Sequence, residues 1–148
     1  DKEQLNVTGV NNMINKKSGV FGISQISSDM RDLETAADAG NKKAILALKM
    51  YAYKVKKFIG SYMAALNGCD LLVFTGGIGE NAFRMRKSIC SDMENLGILF
   101  DDSKNHGASG NDIILSRPES KITVVAVTTD EEFVIASDTR YIVENHIA

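Results

Sequence analysis

The sequence has little cysteine, a single proline, no tryptophan and no long apolar run. Two cysteines, Cys69 and Cys90, are too few and too far apart to indicate a disulfide framework or a zinc site, and isolated thiols fit a reducing cytoplasm. No apolar stretch approaches the roughly 18 residues expected of a membrane span. We therefore expect a cytoplasmic protein that is neither exported nor anchored in a membrane.

An excess of charge of either sign is also lacking. Lysine and arginine number 17 and aspartate and glutamate 19, which leaves a formal net charge of −2. Without a basic field, the chain has little to hold a nucleic acid or an anionic membrane surface. What is present is 44% hydrophobic side chains in 148 residues, enough for one core. We expect residues 1–148 to form a single domain, with neither nucleic acid nor membrane as a partner.

The spacing of apolar residues predicts helices and short strands in alternation, an order typical of an α/β fold with a central sheet. Residues 42–66 repeat apolar side chains every three or four positions, which indicates one long helix with its lysines in water. Residues 71–75 form an unbroken apolar run, which is typical of a strand buried on both faces. The other predicted elements are a helix ending near 16–19, a short helix from about 30, a helix at 82–96 with Arg86 outside and Leu96 inside, strands at 98–100, 113–115 and 121–128, and a final helix at about 130–143.

The predicted strand at 71–75 runs directly into a glycine-rich turn and then a helix. Glycine leaves no side chain to keep a ligand away from the backbone amides, so such a turn can cradle a nucleotide. Glycines also build tight turns that bind nothing, and the residues alone leave that alternative open. The turn has neither the Gly-Lys-Ser/Thr ending of a Walker loop nor the spacing of a dinucleotide fingerprint.

Residues 74–81, followed by Arg86, resemble the C-terminal signature of the acetate kinase family. Further segments at 15–24, 27–34 and 129–132 resemble family motifs in the same order, so the likeness spans nearly the whole chain. The Gly-Glu-Asn ending of the turn, which butyrate kinases generally lack, favours acetate or propionate kinase. The resemblance implies the C-terminal part of an actin-like (ribonuclease H-like) ATPase domain, an α/β fold with a mixed sheet flanked by helices.

The resemblance also implies residues that bind the nucleotide, ATP or ADP. Asp29, Met30 and Arg31 match a stretch that lies against the adenosine, where a guanidinium plane can stack on a purine. The alternative is a helix cap, with Asp29 binding helix amides and Arg31 pairing with Asp32 or Glu34, and we expect the two roles to coexist. In the family, the glycine turn contacts the nucleotide through the positions occupied here by Gly76, Gly77, Ile78, Gly79, Glu80 and Asn81.

A magnesium role is implied for Glu131, which matches a family carboxylate associated with the Mg²⁺ of Mg-ATP. Because Mg²⁺ is often bound by one or two carboxylates plus water and phosphates, a lone glutamate suffices. The alternative is that Asp130, Glu131 and Glu132 only complement the dipole at a helix N-terminus.

The family's catalytic arginines, aspartate and histidine precede the matched region, so we expect no catalytic residue in this chain. His106 and His146 match no family histidine and are expected on the surface. The chain lacks an initiator methionine, and we expect it to be a piece of a longer polypeptide whose N-terminal half is absent. Alone it would be inactive, with at best weak nucleotide binding.

By the resemblance, the whole protein would transfer the terminal phosphoryl group of ATP to acetate and would pair as a homodimer. The alternatives are a propionate kinase, or a non-catalytic module that binds ATP or a partner chain. We also expect Gly79→Val to abolish ATP binding while leaving the fold intact.

Overall fold

Helices make up most of the first 65 residues, and a small sheet forms from strands between residues 71 and 126. The computed structural model describes residues 5–145. Its strands are β1 (Leu71–Phe74), β2 (Ile113–Ile114) and β3 (Thr123–Ala126). Its helices are α1 (Val7–Lys16), α2 (Gly19–Ser24), α3 (Met30–Asp38), α4 (Lys42–Ala65), α5 (Gly76–Asn81), α6 (Phe83–Cys90), α7 (Asp102–Asn105) and α8 (Glu131–Glu144), with a 3-10 turn at Glu94–Leu96.

The three strands form one mixed sheet in the order β1-β3-β2. β1 runs parallel to β3, with Leu71 opposite Thr123, and β2 runs antiparallel to it. The predicted α/β class, with a mixed sheet flanked by helices, is confirmed. The predicted strand at 98–100 is wrong, because that segment meets the sheet only through a single bridge between Phe100 and Ser116.

Strand β1 is buried on one face only, which contradicts the prediction of burial on both. Phe74 packs into the core, whereas Leu71 is 52% exposed and Val73 is 46% exposed. Successive side chains of a strand point to opposite faces, so Leu71 and Val73 share one face of the sheet. Within residues 5–145, nothing covers that face closely.

Helix α4 joins the two buried clusters of the molecule. Asn41 caps its start by accepting hydrogen bonds from two backbone amides of the first turn. Ala44 and Ala47 pack with Leu33 of α3 in one cluster, and Ala52 belongs to the other, which includes the sheet and α6. These small side chains let neighbouring elements approach closely, and the long helix predicted from apolar spacing is confirmed. α4 thereby holds α3 beside the start of α6.

Helix α6 is shorter than predicted and buries a charged residue. It ends at Cys90 instead of continuing to Leu96, and the 3-10 turn follows. Arg86, predicted outside, is 0% exposed, whereas Leu96, predicted inside, is 48% exposed. The break after Cys90 changes the helical phase, so Leu96 leaves the buried face. Arg86 can be buried because oxygen atoms of the protein replace its water, as described below.

Helix α8 confirms the predicted C-terminal helix in position but buries none of its side chains. Asp130 caps it by accepting a hydrogen bond from the Phe133 amide. No helix within residues 5–145 combines the length and the hydropathy of a bilayer-spanning segment. The exposed large apolar residues of α8 are Phe133, Val134, Ile135, Tyr141, Ile142 and Val143.

Candidate functional site

Two segments that are far apart in sequence line one cavity of about 550 Å³. Pockets of this size hold small molecules in many proteins. One wall comes from the start of α3 and the other from the glycine turn, both named as site segments from the sequence. The lining residues are Ser28, Asp29, Met30, Arg31 and Glu34 on the α3 side, and Gly77, Ile78, Asn81 and Ala82 on the turn side.

On the α3 wall, Asp29 caps the helix and pairs with Arg31. Its carboxylate accepts a hydrogen bond from the Arg31 amide at 2.9 Å, and Arg31 Nη2 lies 2.7 Å from the second carboxylate oxygen. The predicted cap is confirmed, but the partner of Arg31 is Asp29 rather than Asp32 or Glu34. Hydrogen bonds from Arg31 lower the pKa of Asp29 to about 2. The Arg31 side chain is 89% exposed, so its guanidinium plane is open to a ligand.

The glycine turn folds as the short helix α5. Gly76 opens it at a φ of 70°, a left-handed conformation that glycine adopts without strain. Gly77 faces open space, since a Cβ added there would meet no atom within 4 Å. The backbone at Gly77 therefore reaches the cavity with no side chain in between.

Gly79 is required for a different reason. It is buried, and a Cβ added to it would lie 2.9 Å from the carbonyl carbon of Phe74. Real side chains do not approach backbone so closely, so a valine would push α5 away from β1. This contradicts the expectation that Gly79→Val leaves the fold intact. Gly77 is the position at which an added side chain would enter the cavity instead.

Glu80 fastens the turn to the segment before α8. Its Oε1 accepts hydrogen bonds from the Gly76 amide at 3.0 Å, the Thr129 amide at 3.0 Å and the Thr129 hydroxyl at 2.8 Å. The bond from the Thr129 hydroxyl is the main reason that the pKa of Glu80 is lowered. Asn81 closes the turn, since its Nδ2 donates to the Gly77 carbonyl at 3.1 Å.

Glu131 lines a second cavity, of about 360 Å³, which shares Gly77 with the first. It is the first residue of α8, where its charge also complements the helix dipole, and Asp130 provides the cap. The side chain of Glu131 makes no hydrogen bond within residues 5–145. Those residues also contain no cluster of three or more potential metal ligands, so Glu131 would hold a cation only together with oxygen atoms from a ligand or water.

Three residues that the sequence did not single out as site residues support the turn from outside the cavity: Arg86, Asn105 and Ser109. The Ser109 hydroxyl donates to Asn81 Oδ1 at 2.6 Å, and Arg86 Nη1 donates to the Gly79 carbonyl at 2.7 Å. Arg86 follows the glycine turn in the family signature, and this was the signal for it in the sequence. Nothing marked Asn105 or Ser109, because their segment is typical of a polar surface loop.

His106, Cys69 and Cys90 line neither of these two cavities. His106 is exposed and contacts the edge of Phe83, as expected of a surface histidine, while His146 falls outside the described residues. Burial raises the pKa of the Cys90 thiol to about 12, so it stays protonated near neutral pH and is a poor nucleophile.

Comparison with known proteins identifies close relatives along nearly the whole chain. The model of the acetokinase family matches residues 1–137. The acetate kinase of Bacteroides thetaiotaomicron is 55% identical over 139 residues, which cover 94% of this chain and 35% of that protein. The chain thus spans about a third of the length of such relatives.

Solved structures agree with the sequence comparison. The crystal structure of Porphyromonas gingivalis acetate kinase superposes with a TM-score of 0.88 at 51% identity, over 96% of this chain and 36% of that one. A propionate kinase from Francisella tularensis superposes with a TM-score of 0.79 at 40% identity, over 92% of this chain and 34% of that one.

Proposed function

The chain belongs to the acetokinase family, and from this premise we propose that it is the nucleotide-binding part of an acetate kinase. The whole enzyme transfers the terminal phosphoryl group of ATP to acetate, giving acetyl phosphate and ADP. The observation that carries the proposal is the cavity of about 550 Å³ between the start of α3 and the glycine turn. Both walls match segments that contact the nucleotide in the family.

The nucleoside lies in the first cavity and the phosphates extend toward the second. Arg31 supports this arrangement, because its exposed guanidinium can stack on a purine face. Gly77 lines both cavities and carries no side chain, so a chain of phosphates can pass along its backbone. Gly76, Ile78, Gly79, Glu80 and Asn81 form the rest of the nucleotide-binding turn in this proposal, with Asp29 and Met30 opposite.

Mg²⁺ fits the second cavity through Glu131. Of the four carboxylates that line this cavity, Asp130 accepts from the Phe133 amide and Glu80 Oε1 accepts from Gly76 and Thr129, whereas Glu131 and Glu132 accept no hydrogen bond within residues 5–145. Of these two, the family resemblance selects Glu131. One such ligand suffices for an ion that keeps several waters and binds phosphate oxygens. When bound, the ion neutralises phosphate charge, and Glu131 holds it beside the turn.

The phosphoryl acceptor and the catalytic residues lie in the remainder of the enzyme. In the family, the residues that hold acetate and the phosphoryl group in flight precede the matched region, so this chain supplies positioning of ATP. We accordingly place the missing N-terminal half and a second copy of the protein among its partners. The two free cysteines accord with a cytoplasmic location.

Two other functions are weaker. A propionate kinase is favoured less, because the propionate kinase relative is 40% identical, against 55% for the Bacteroides thetaiotaomicron acetate kinase and 51% for that of Porphyromonas gingivalis. A non-catalytic module that binds a partner would use the exposed apolar residues of α8 and would not account for the open backbone at Gly77. A module that only binds ATP would use the same cavity, and the turnover test below separates it from a kinase.

Gly77→Val tests the nucleotide site. Gly77 lines the cavity and an added Cβ meets no atom within 4 Å, so we expect the ATP affinity measured by calorimetry to fall about tenfold or more, at least about 1.4 kcal/mol. Gly60→Val is the matched control, since Gly60 is also helical and its Cβ also meets nothing within 4 Å. Equal ATP affinities for the two variants would rule out the proposed site.

Acetyl phosphate formation tests whether this chain positions ATP while the remainder of the enzyme supplies the catalytic residues. We expect no turnover by the 148-residue chain alone. We expect turnover when the chain replaces the matching segment of the Porphyromonas gingivalis acetate kinase. An inactive but folded hybrid that still binds ATP would argue against a kinase role.

A further inference from the structure

Arg86 is a buried arginine without a carboxylate partner. It is 0% exposed, and no acidic side chain within residues 5–145 lies within 4.0 Å of its guanidinium. Taking an arginine out of water is costly, and most buried arginines are paired with an acid. Burial accordingly lowers the pKa of Arg86. The N–H groups of a buried arginine must therefore find hydrogen-bond acceptors within the protein.

All the acceptors of Arg86 are neutral oxygens. Nη1 donates to the carbonyls of Gly79 at 2.7 Å and Glu80 at 2.8 Å, within the last turn of α5. Nη2 donates to the Ala108 carbonyl at 2.7 Å, and Nε donates to Asn105 Oδ1 at 2.9 Å. The planar fork of arginine can hold such a set of acceptors at once, whereas an ammonium group cannot span them.

Asn105 is itself fixed, so Arg86 has a rigid anchor. Asn105 is fully buried, and its Nδ2 donates to the Phe83 carbonyl at 2.8 Å, which points its Oδ1 toward Arg86. The guanidinium therefore ties the end of α5 to the segment after α7. The last carbonyls of a helix have no partner inside it, and Arg86 satisfies two of them here.

Packing leaves free space on one side of the turn. A third cavity, apolar and of about 290 Å³, lies against it and is lined by Ile78, Gly79 and Arg86 together with Tyr51, Val55 and Ile59 of α4. Because side chains leave room on this side, the turn has space into which it can shift. Ile78 also lines the larger cavity, so such a shift would change the nucleotide wall.

We propose that Arg86 is a positioning residue that holds the Gly76–Asn81 turn in its nucleotide-binding shape through the carbonyls of Gly79 and Glu80. Arg86 does not line the larger cavity and acts through the turn. The inference rests on the proposed function for its effect on ligand affinity, but its effect on the turn itself does not depend on a ligand.

The test compares Arg86→Met and Arg86→Lys with Arg84→Met in the full 148-residue chain. Arg84 lies two positions away on α6 and pairs with Asp38 at the surface, so it controls for the loss of one positive charge from the helix. Amide hydrogen exchange without ligand reports the turn. Calorimetry with ADP reports the site at temperatures where each variant is folded.

A positioning role predicts faster exchange at 77–81 and 105–109 in both Arg86 variants, with β1 and β3 still protected. It predicts ADP affinity at least about tenfold weaker in both, while Arg84→Met stays within about twofold of wild type. Arg86→Lys keeps the charge and most of the buried volume, so it remains informative if Arg86→Met does not fold.

Two results would overturn the proposal. One is wild-type exchange at 77–81 in folded Arg86→Lys. The other is a uniform rise in exchange across the sheet with unchanged ADP affinity, which marks a purely structural role. If neither the wild-type chain nor the hybrid with the Porphyromonas gingivalis enzyme binds ADP, the proposed function fails, and the exchange pattern still decides whether Arg86 holds the turn.

Discussion

Arg31 lines one wall of the larger cavity and Arg86 supports the other wall from behind. The two arginines differ in their exposure and in their hydrogen-bond partners. Arg31 is 89% exposed and pairs with a single carboxylate, two residues away. Arg86 is buried and satisfies four neutral oxygens on three segments of the chain. An exposed ion pair contributes little to stability and its members move readily, whereas a buried donor set is costly to disrupt. The α3 wall is thus adaptable, and the turn wall is preformed.

Replacing each arginine by methionine should give the largest contrast. Arg86→Met leaves at least two buried carbonyls without a donor, and we expect it to lower the free energy of unfolding by about 3 kcal/mol or more. Arg31→Met should leave the stability close to wild type. Urea unfolding followed by circular dichroism measures both, and equal losses would show that the two walls do not differ.

The two glycines of the turn should separate fold from site. Gly79→Val forces a side chain against the backbone of Phe74, and overpacking of this kind costs about 1–3 kcal/mol. Gly77→Val should change the unfolding midpoint less, since its side chain meets only open space. The same urea titration checks this, and a larger loss in the Gly77 variant would contradict the assignment of the two positions.

Acid should weaken the α3 wall slightly, and only in a defined range. The pKa of Asp29 in the folded chain is about 2, below its ordinary 3.8, so its contribution is complete above about pH 4 and is lost as the pH falls toward 2. Asp29→Asn should make the fall in unfolding midpoint between pH 5 and 3 shallower than in wild type. An unchanged slope would mean that the pair with Arg31 has no effect on folding.

Local pattern predicted the elements that depend on local chemistry. The apolar spacing of α4, the cap at Asp29 and the strand before the glycine turn follow from neighbours within a few residues, and each is found in the structure. The family resemblance likewise selected the two segments that line the larger cavity. Their meeting at one cavity depends on how α4 positions α3, which no local pattern contains.

The wrong predictions share a cause in distant contacts. Arg86 was expected in water because charge normally is, and its acceptors at Asn105 and Ala108 lie about 20 residues along the chain. Gly79→Val was expected to leave the fold intact, although an added Cβ would lie 2.9 Å from the backbone of Phe74. Strand β1 was predicted to be buried on both faces because its own residues are apolar. Whether a face is buried depends on which elements pack against it.

The hydrogen bonds of Glu80 have a thermodynamic consequence. One oxygen holds both Gly76 of the turn and Thr129, two residues before Glu131, so neither segment can move without disturbing the other. If a nucleotide orders the turn, it also lowers the entropy cost of ordering the start of α8, where a cation would bind. By linkage, the cation would then raise the nucleotide affinity by the same factor as the nucleotide raises the cation affinity. ATP and Mg²⁺ would then bind this chain as one linked equilibrium, each raising the affinity of the other equally.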